Sequence, residues 1–254
     1  MSPHDAARGF DAVAETYERA RPEYPREAVD LLVRLLGLHP GRTLLDVGAG
    51  TGKFSRLAAA RGATVVAVEP AAAMVRRAAG TGGVLPIRAL AEALPIRSHA
   101  ADAASAASAF HWFDGRRALG EIHRVLRRGG RLGLVWNQRD DDLDWIARLS
   151  AIVNRREGSA PRYRRGEWRA AFDAARDLFR PLEEAHFRHV HPLAPAGVVE
   201  RIASISFVAT LDAAAREAVL EEVRALLASH PDTAGQDELA LAYRTDVFVW
   251  DRVG

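Results

Sequence analysis

The stretch LLDVGAGTG, Leu44 to Gly52, decides how this chain folds. Its first half is an aliphatic run of the kind that forms a buried strand. Gly48, Gly50 and Gly52 then alternate with small residues just where a helix starts, near Lys53. Glycine accepts positive φ and leaves the backbone bare, so a ligand can lie directly against it. The helix start adds free N–H groups and the positive end of a dipole. In open parallel sheets, ligands bind at such strand-to-helix crossings.

Spacing separates the ligands that use loops of this type. The triphosphate loop G-x-x-x-x-G-K-[ST] needs glycine where Val47 stands and a hydroxyl where Phe54 stands. The dinucleotide fingerprint G-x-G-x-x-G needs a third glycine where Lys53 stands. What remains is D-x-G-x-G-x-G, with Asp46 at its entrance.

Working outward, strands and helices alternate. REAVDLLVRLLG (26–37) has helical periodicity, RTLLDV (42–47) and ATVVAVE (63–69) are strands, and AAAMVRRAA (71–79) is a helix. A poorer strand lies near Val84–Ala89, and alanine-rich ADAASAASA (101–109) is a fourth strand. The helix RRALGEIHRVLRR (116–128) and the strand RLGLVW (131–136) follow. This rhythm predicts a parallel sheet covered on both faces. Past Asn137 it changes to two helical segments (142–156 and 166–179), a strand EAHFRHV (184–190), a long helix (212–228) and TDVFVW (245–250).

Composition narrows the function. The chain has 254 residues, 48% hydrophobic and 27% charged, with no cysteine, so disulfides and thiolate chemistry are excluded. No apolar run is long enough to span a bilayer and the N-terminus has no signal-peptide pattern, so the expected location is cytoplasmic, with no membrane partner. Lys53 is the sole lysine, yet the net charge is only +2, and the arginine segments are interleaved with acids. That argues for a small-molecule partner over nucleic acid. RDDDLDW (139–145) lacks the glycine and terminal glutamate of an EF-hand, and His186, His189 and His191 lack an evident third ligand, so no metal is expected. The oligomeric state stays open.

LLDVGAGTG resembles motif I of the class I S-adenosylmethionine (SAM)-dependent methyltransferases. The resemblance implies a Rossmann-like, seven-stranded, mostly parallel α/β sheet with helices on both faces and a helical cap. It implies SAM as cofactor and S-adenosylhomocysteine as product. Asp46, Gly48, Ala49, Gly50, Thr51 and Gly52 would form the loop, and Glu69, followed by Pro70, would accept hydrogen bonds from the ribose hydroxyls. Other stretches are similar to a narrower subgroup, the trans-aconitate-methyltransferase-like small-molecule enzymes: FDAVAETYERARPEYP (10–25), ALAEALPI (89–96), AFHWFD (109–114), EIHRVLRRGGRLGLVWN (121–137), SISFVATL (204–211) and YRTDVFVW (243–250). The chain then reads as one domain: an N-terminal lid and first helices (1–40), a SAM-binding core (41–137), a helical cap insertion (138–182) and a C-terminal part completing the sheet (183–254).

The resemblance also assigns roles. Ala91 and Glu92 would flank adenine and Met74 would pack on the ring; a core role for Met74 is equally open. Ser108, where relatives carry glutamine, and Phe110 would sit near the cofactor's methionine end. Tyr17 would cover the sulfonium and Arg21 would pair with the methionine carboxylate. His111, Trp112 and Asn137 are the candidates at the reacting centre: His111 as base if the acceptor is a hydroxyl, Trp112 as an aromatic wall, Asn137 facing the acceptor. A carboxylate acceptor would need no base, and arginines or tyrosines of the insertion would position it. The expected reaction is methyl transfer to a small molecule, on oxygen. N- or C-methylation, and SAM binding without turnover, are the alternatives.

Overall fold

A computed structural model describes residues 21–80, 82–158 and 161–254. Helix α1 (Arg26–Leu35) buries Ala28, Val29 and Leu32 and starts after Pro25. Strand β1 (Thr43–Val47) is followed by α2 (Lys53–Ala59), β2 (Thr64–Val68), α3 (Ala72–Ala78), β3 (Val84–Ile87) and β4 (Ala101–Ala107). A 3₁₀ turn (Phe110–Trp112) leads to α4 (Gly115–Val125) and β5 (Leu126–Arg139). Beyond lie α5 (Asp144–Asn154), the short α6 (Arg169–Asp173), β6 (Phe179–Leu193), α7 (Pro195–Ala203), α8 (Ser206–Ala209), α9 (Ala213–Ser229) and β7 (Leu239–Arg252).

The seven strands run in the order β3-β2-β1-β4-β5-β7-β6. The first five are parallel, and β7 pairs antiparallel with both β5 and β6. The order therefore reverses between β1 and β4, whose C-terminal ends open the crevice characteristic of such sheets. β4 is almost wholly buried despite its alanines. Small side chains let helices approach this central strand from both faces, which outweighs weak β-propensity.

Three apolar clusters hold the molecule. One sits between the sheet and α1 and α2, through Leu32, Leu44, Phe54, Val65 and Val247. The second lies on the opposite face with α4 and α6, through Leu45, Leu119, Ile122, Trp136, Phe172 and Trp250. The third joins α5, α7, α8 and α9 to the start of β7, through Ile146, Leu149, Ile202, Val219, Val223 and Tyr243.

That third cluster draws on both sides of the expected boundary at residue 182. Helix α5, from the expected cap segment 138–182, packs with α7–α9 from the segment after it, and these four helices are called the cap below. The segment expected as a helix over 166–179 keeps only α6, and this packs against the sheet through Trp168 and Phe172. α7 and α8 were not anticipated. Among the described residues no helix is long and apolar enough to cross a membrane.

Candidate functional site

Loop geometry at the end of β1 begins with glycine. Gly48 has φ +69°, and a Cβ there would lie 2.6 Å from the Ala109 Cβ, so the loop seats against the turn after β4 only with glycine at this position. Gly50, at φ +57°, faces open space instead, leaving its backbone bare. Backbone N–H groups of Gly48 and Ala49 both donate to the Val68 carbonyl, at 2.8 and 3.0 Å. Glu69 then joins two loops: one carboxylate oxygen accepts from Gly50 N and the other from Ala71 N, each at 3.0 Å.

These loops line a crevice of about 290 Å³. Gly48, Ala49, Gly50, Thr51, Glu69, Pro70 and Met74 border it, as expected. So do Arg21, Ser108 and Trp112, with Ala71, Arg88, Ala109 and Phe113, which sequence reasoning did not name. Ser108 has φ +55°, unusual for a side-chain-bearing residue, and turns the chain at the mouth of β4. Its Oγ lies 3.1 Å from the Tyr24 hydroxyl.

Several expected contacts lie elsewhere. Asp46 is fully buried beneath the loop, where its two oxygens accept from the hydroxyls of Ser55 (2.6 Å) and Ser105 (2.7 Å); burial pushes its carboxyl up to about 6. It supports the loop and does not face the crevice. Gly52 is the residue before α2, at φ +83°, outside the lining. Ala91 is buried, and Glu92 accepts from Asp114 N at 2.8 Å, which ties the 89–96 segment to the start of α4. Phe110 packs on Phe113 and Phe172 in the core. Tyr17 lies outside the described residues.

Residues 21–24 form a strap along the crevice, and Lys53, Ser108 and Asn137 pin it. Lys53 Nζ donates to the Arg21 carbonyl (2.6 Å) and to the Glu23 carboxylate (2.9 Å). Asn137 Nδ2 donates to the Glu23 carbonyl at 3.1 Å, while its Oδ1 accepts from Thr245 at 2.6 Å. Asn137 is thereby spent on the strap. It borders this crevice and is not among the residues of the chamber that follows.

A second chamber of about 410 Å³ adjoins the first, sharing Arg21, Ser108, Trp112 and Arg201. His111 and Trp136 line it, with Arg139, Arg162, Tyr163 and Tyr243. Of its arginines, Arg164, Arg169 and Arg244 pair with Glu157, Glu184 and Asp246, whereas Arg139 and Arg201 are held by neutral groups. Arg139 Nε donates to Ser150 Oγ at 2.8 Å, and Arg201, 6% exposed, donates to the Tyr243 hydroxyl (3.2 Å) and Ser204 Oγ (3.5 Å). Arg162 lies 4.6 Å over the Phe207 ring and reaches a carboxylate only at 3.8 Å, that of Glu157, which Arg164 and Arg165 also hold. Burial pushes Arg162 down to about 9, and repulsion from Arg21 and Arg139 adds to it. Burial likewise pushes Arg139 down to about 10. Sequence reasoning foresaw arginines from the insertion but not Arg201, which sits on the unanticipated α7. The acids of RDDDLDW are engaged: Arg188 bridges Asp140 and Asp142, and Asp141 accepts from Ser150.

The same arrangement has relatives. A methyltransferase of Mycobacterium tuberculosis is 38% identical over 246 residues, 96% of each chain. The chain belongs to the class I methyltransferases. A methyltransferase-domain profile matches residues 45–134, from β1 into β5. A methyltransferase-like protein of Schizosaccharomyces pombe is 32% identical over 94% of this chain and 93% of its own. A solved methyltransferase from Anaeromyxobacter dehalogenans superposes with a TM-score of 0.65 at 26% identity, over 91% of this chain and 97% of that one. In this methyltransferase the matched profile covers the glycine loop, Glu69 and the turn after β4. The strap, Arg139, Arg162 and Arg201 all lie outside it.

Proposed function

We propose that this methyltransferase binds SAM in the first crevice and methylates a carboxylate oxygen of a small anionic acceptor held in the second. The crevice residues fit SAM. Thr51 Oγ1 is buried at the crevice with no hydrogen-bond partner among the described residues, the backbone of Gly50 is bare, and Glu69 presents a carboxylate beside it. When bound, SAM supplies an electrophilic methyl group on a sulfonium. Glu69 would take the ribose hydroxyls, Met74 and Pro70 the apolar ring, and Arg21 the amino-acid carboxylate. Trp112, which borders both cavities, would keep water from the reacting centre.

One observation carries the acceptor reading: Arg139 and Arg201 pair with no carboxylate among the described residues, and Arg162 has only a distant share of one. Buried cations without an opposite charge are costly, and an anionic ligand offsets that cost with charge-assisted hydrogen bonds. A carboxylate is ionised at neutral pH, so it suits a chamber without a free base. The subgroup resemblance points the same way. The test is turnover with methyl-labelled SAM against carboxylic acids, alcohols, phenols and amines. Base-labile methyl esters formed only from the acids are expected. Products formed only from alcohols, phenols or amines would overturn the reading, and SAM binding with no product would make this a binding protein.

A further inference from the structure

We infer that His111 meets the acceptor as a neutral hydrogen-bond donor through Nε2–H, and that Trp136 locks it in that form. This rests on the carboxylate reading of the second chamber. The indole N–H of Trp136 can only donate, and it lies 3.1 Å from His111 Nδ1. Nδ1 must therefore accept, and the single proton of a neutral imidazole sits on Nε2. Trp136 cannot swing away. It is 1% exposed, stacked on Tyr163 at 4.5 Å and packed against Trp168 at 4.9 Å and Phe248 at 6.0 Å.

Protonating Nδ1 would set two N–H groups against each other and add a cation to a cationic chamber. The charges facing His111 act in the same direction: burial comes first, then Arg162 and Arg21, and together they hold the ring down to about 3. The other groups of the chamber do not supply a base. Tyr163 donates to Asp246 at 2.7 Å, and its phenol is raised by burial and by that carboxylate. Asp140 and Asp142 are held by Arg188 and Asp141 by Ser150. Arg139 and Arg201 are cations, and Tyr243 accepts from Arg201.

The chamber thus selects acceptors that arrive ionised. The acceptor's carboxylate oxygen supplies the electron pair of the new O–CH₃ bond, the pair of the broken C–S bond stays on sulfur, and no proton changes hands. His111 contributes one directed N–H to a carboxylate oxygen, and the ring stays neutral from about pH 5.5 to 8.5.

Long-range ¹H–¹⁵N NMR of the full chain, histidine-labelled and saturated with S-adenosylhomocysteine, tests this. The Nε2–H tautomer of His111 should persist unchanged from about pH 5.5 to 8.5, since its folded pKa lies far below that window. Trp136→Phe should release Nδ1 and let the ring titrate or mix tautomers. A wild-type His111 that titrates near neutrality, or carries its proton on Nδ1, overturns the inference. Kinetics with the best carboxylic acid of the labelled-SAM panel add a second readout. His111→Phe should raise the acceptor KM about tenfold, the loss of one charge-assisted hydrogen bond. His111→Gln, which keeps a donor, should recover part of it, with S-adenosylhomocysteine affinity unchanged in both. Equal KM in wild type and His111→Phe also overturns it. Turnover confined to alcohols or amines would overturn the carboxylate reading and the donor role with it. The tautomer measured by NMR tells that failure apart from a failure of the lock.

Discussion

Asp46 shows how a residue inside a recognisable motif can act without touching the ligand. Its carboxylate sits in the core between two serine hydroxyls, at about 6 against an ordinary value of 3.8. The raised value means that the fold favours the protonated form. The corresponding stability is present below about pH 4 and is lost as pH rises through 6, a span worth about 3 kcal/mol. Asp46→Asn keeps an acceptor for one serine and gives a donor to the other. It should be more stable than wild type at pH 7, by up to about 3 kcal/mol, with no gain at pH 4. Urea unfolding at the two pH values checks this; a loss of stability at pH 7 would contradict it. Arg162 poses the opposite trade. Arg162→Met removes a poorly compensated buried charge, so thermal unfolding should move upward by a few degrees, about 1 kcal/mol, while the acceptor KM rises at least tenfold. At this scale the sequence was legible wherever backbone conformation selects a residue, as at Gly48, and at Glu69, where strand end and loop meet. It could not show that Asp46 points down, that Glu92 serves α4, or that Phe110 belongs to the core. Those side chains are placed by which neighbour they pack on.

Among the elements, the strap at 21–24 is the feature that local sequence pattern could least foretell. The tyrosine and arginine before the first strand suggested a covering role. The clamps, however, come from distant places: Lys53 after β1, Ser108 after β4 and Asn137 on β5. Lys53→Met should loosen the strap. S-adenosylhomocysteine should bind several-fold more weakly by calorimetry, a loss of about 1 kcal/mol, with little change in the unfolding midpoint. An unchanged affinity would mean that the strap does not close the crevice. Helix α9 provides a structural control. Its Asp212 accepts from Ala215 N at 2.8 Å, so Asp212→Ala should cost about 1 kcal/mol of stability and leave ligand affinity alone. The parallel elements β1 to β5 were readable because period and turn residues agree along them. α6 fell short of its expected length because Trp168 and Phe172 pack onto the sheet, where the aromatic cluster around Trp136 takes over.

Across the whole molecule, function follows from a division between sheet and cap. The half that ends at β5 carries the glycine loop, Glu69 and the turn after β4. The later half carries the antiparallel β7, the edge strand β6 and a cap whose helices come from two separate stretches of chain. No local periodicity reveals that α5 joins α7–α9, because the shared core forms only once β7 brings its first residues beneath them. For the same reason, a chamber lined by Arg139 from β5, Arg162 from a loop and Arg201 from α7 was not visible as a unit. The central claim is that the crevice at β1 and β2 holds SAM through Glu69. Calorimetric titration of S-adenosylhomocysteine into wild type, Glu69→Ala and Asp46→Asn tests it most directly. The expected result is saturable binding to wild type, weakened roughly 10- to 100-fold by Glu69→Ala, for about 1.5–3 kcal/mol of charge-assisted hydrogen bonding, and hardly altered by Asp46→Asn. No binding to the folded wild type, or equal affinity for wild type and Glu69→Ala, would contradict it.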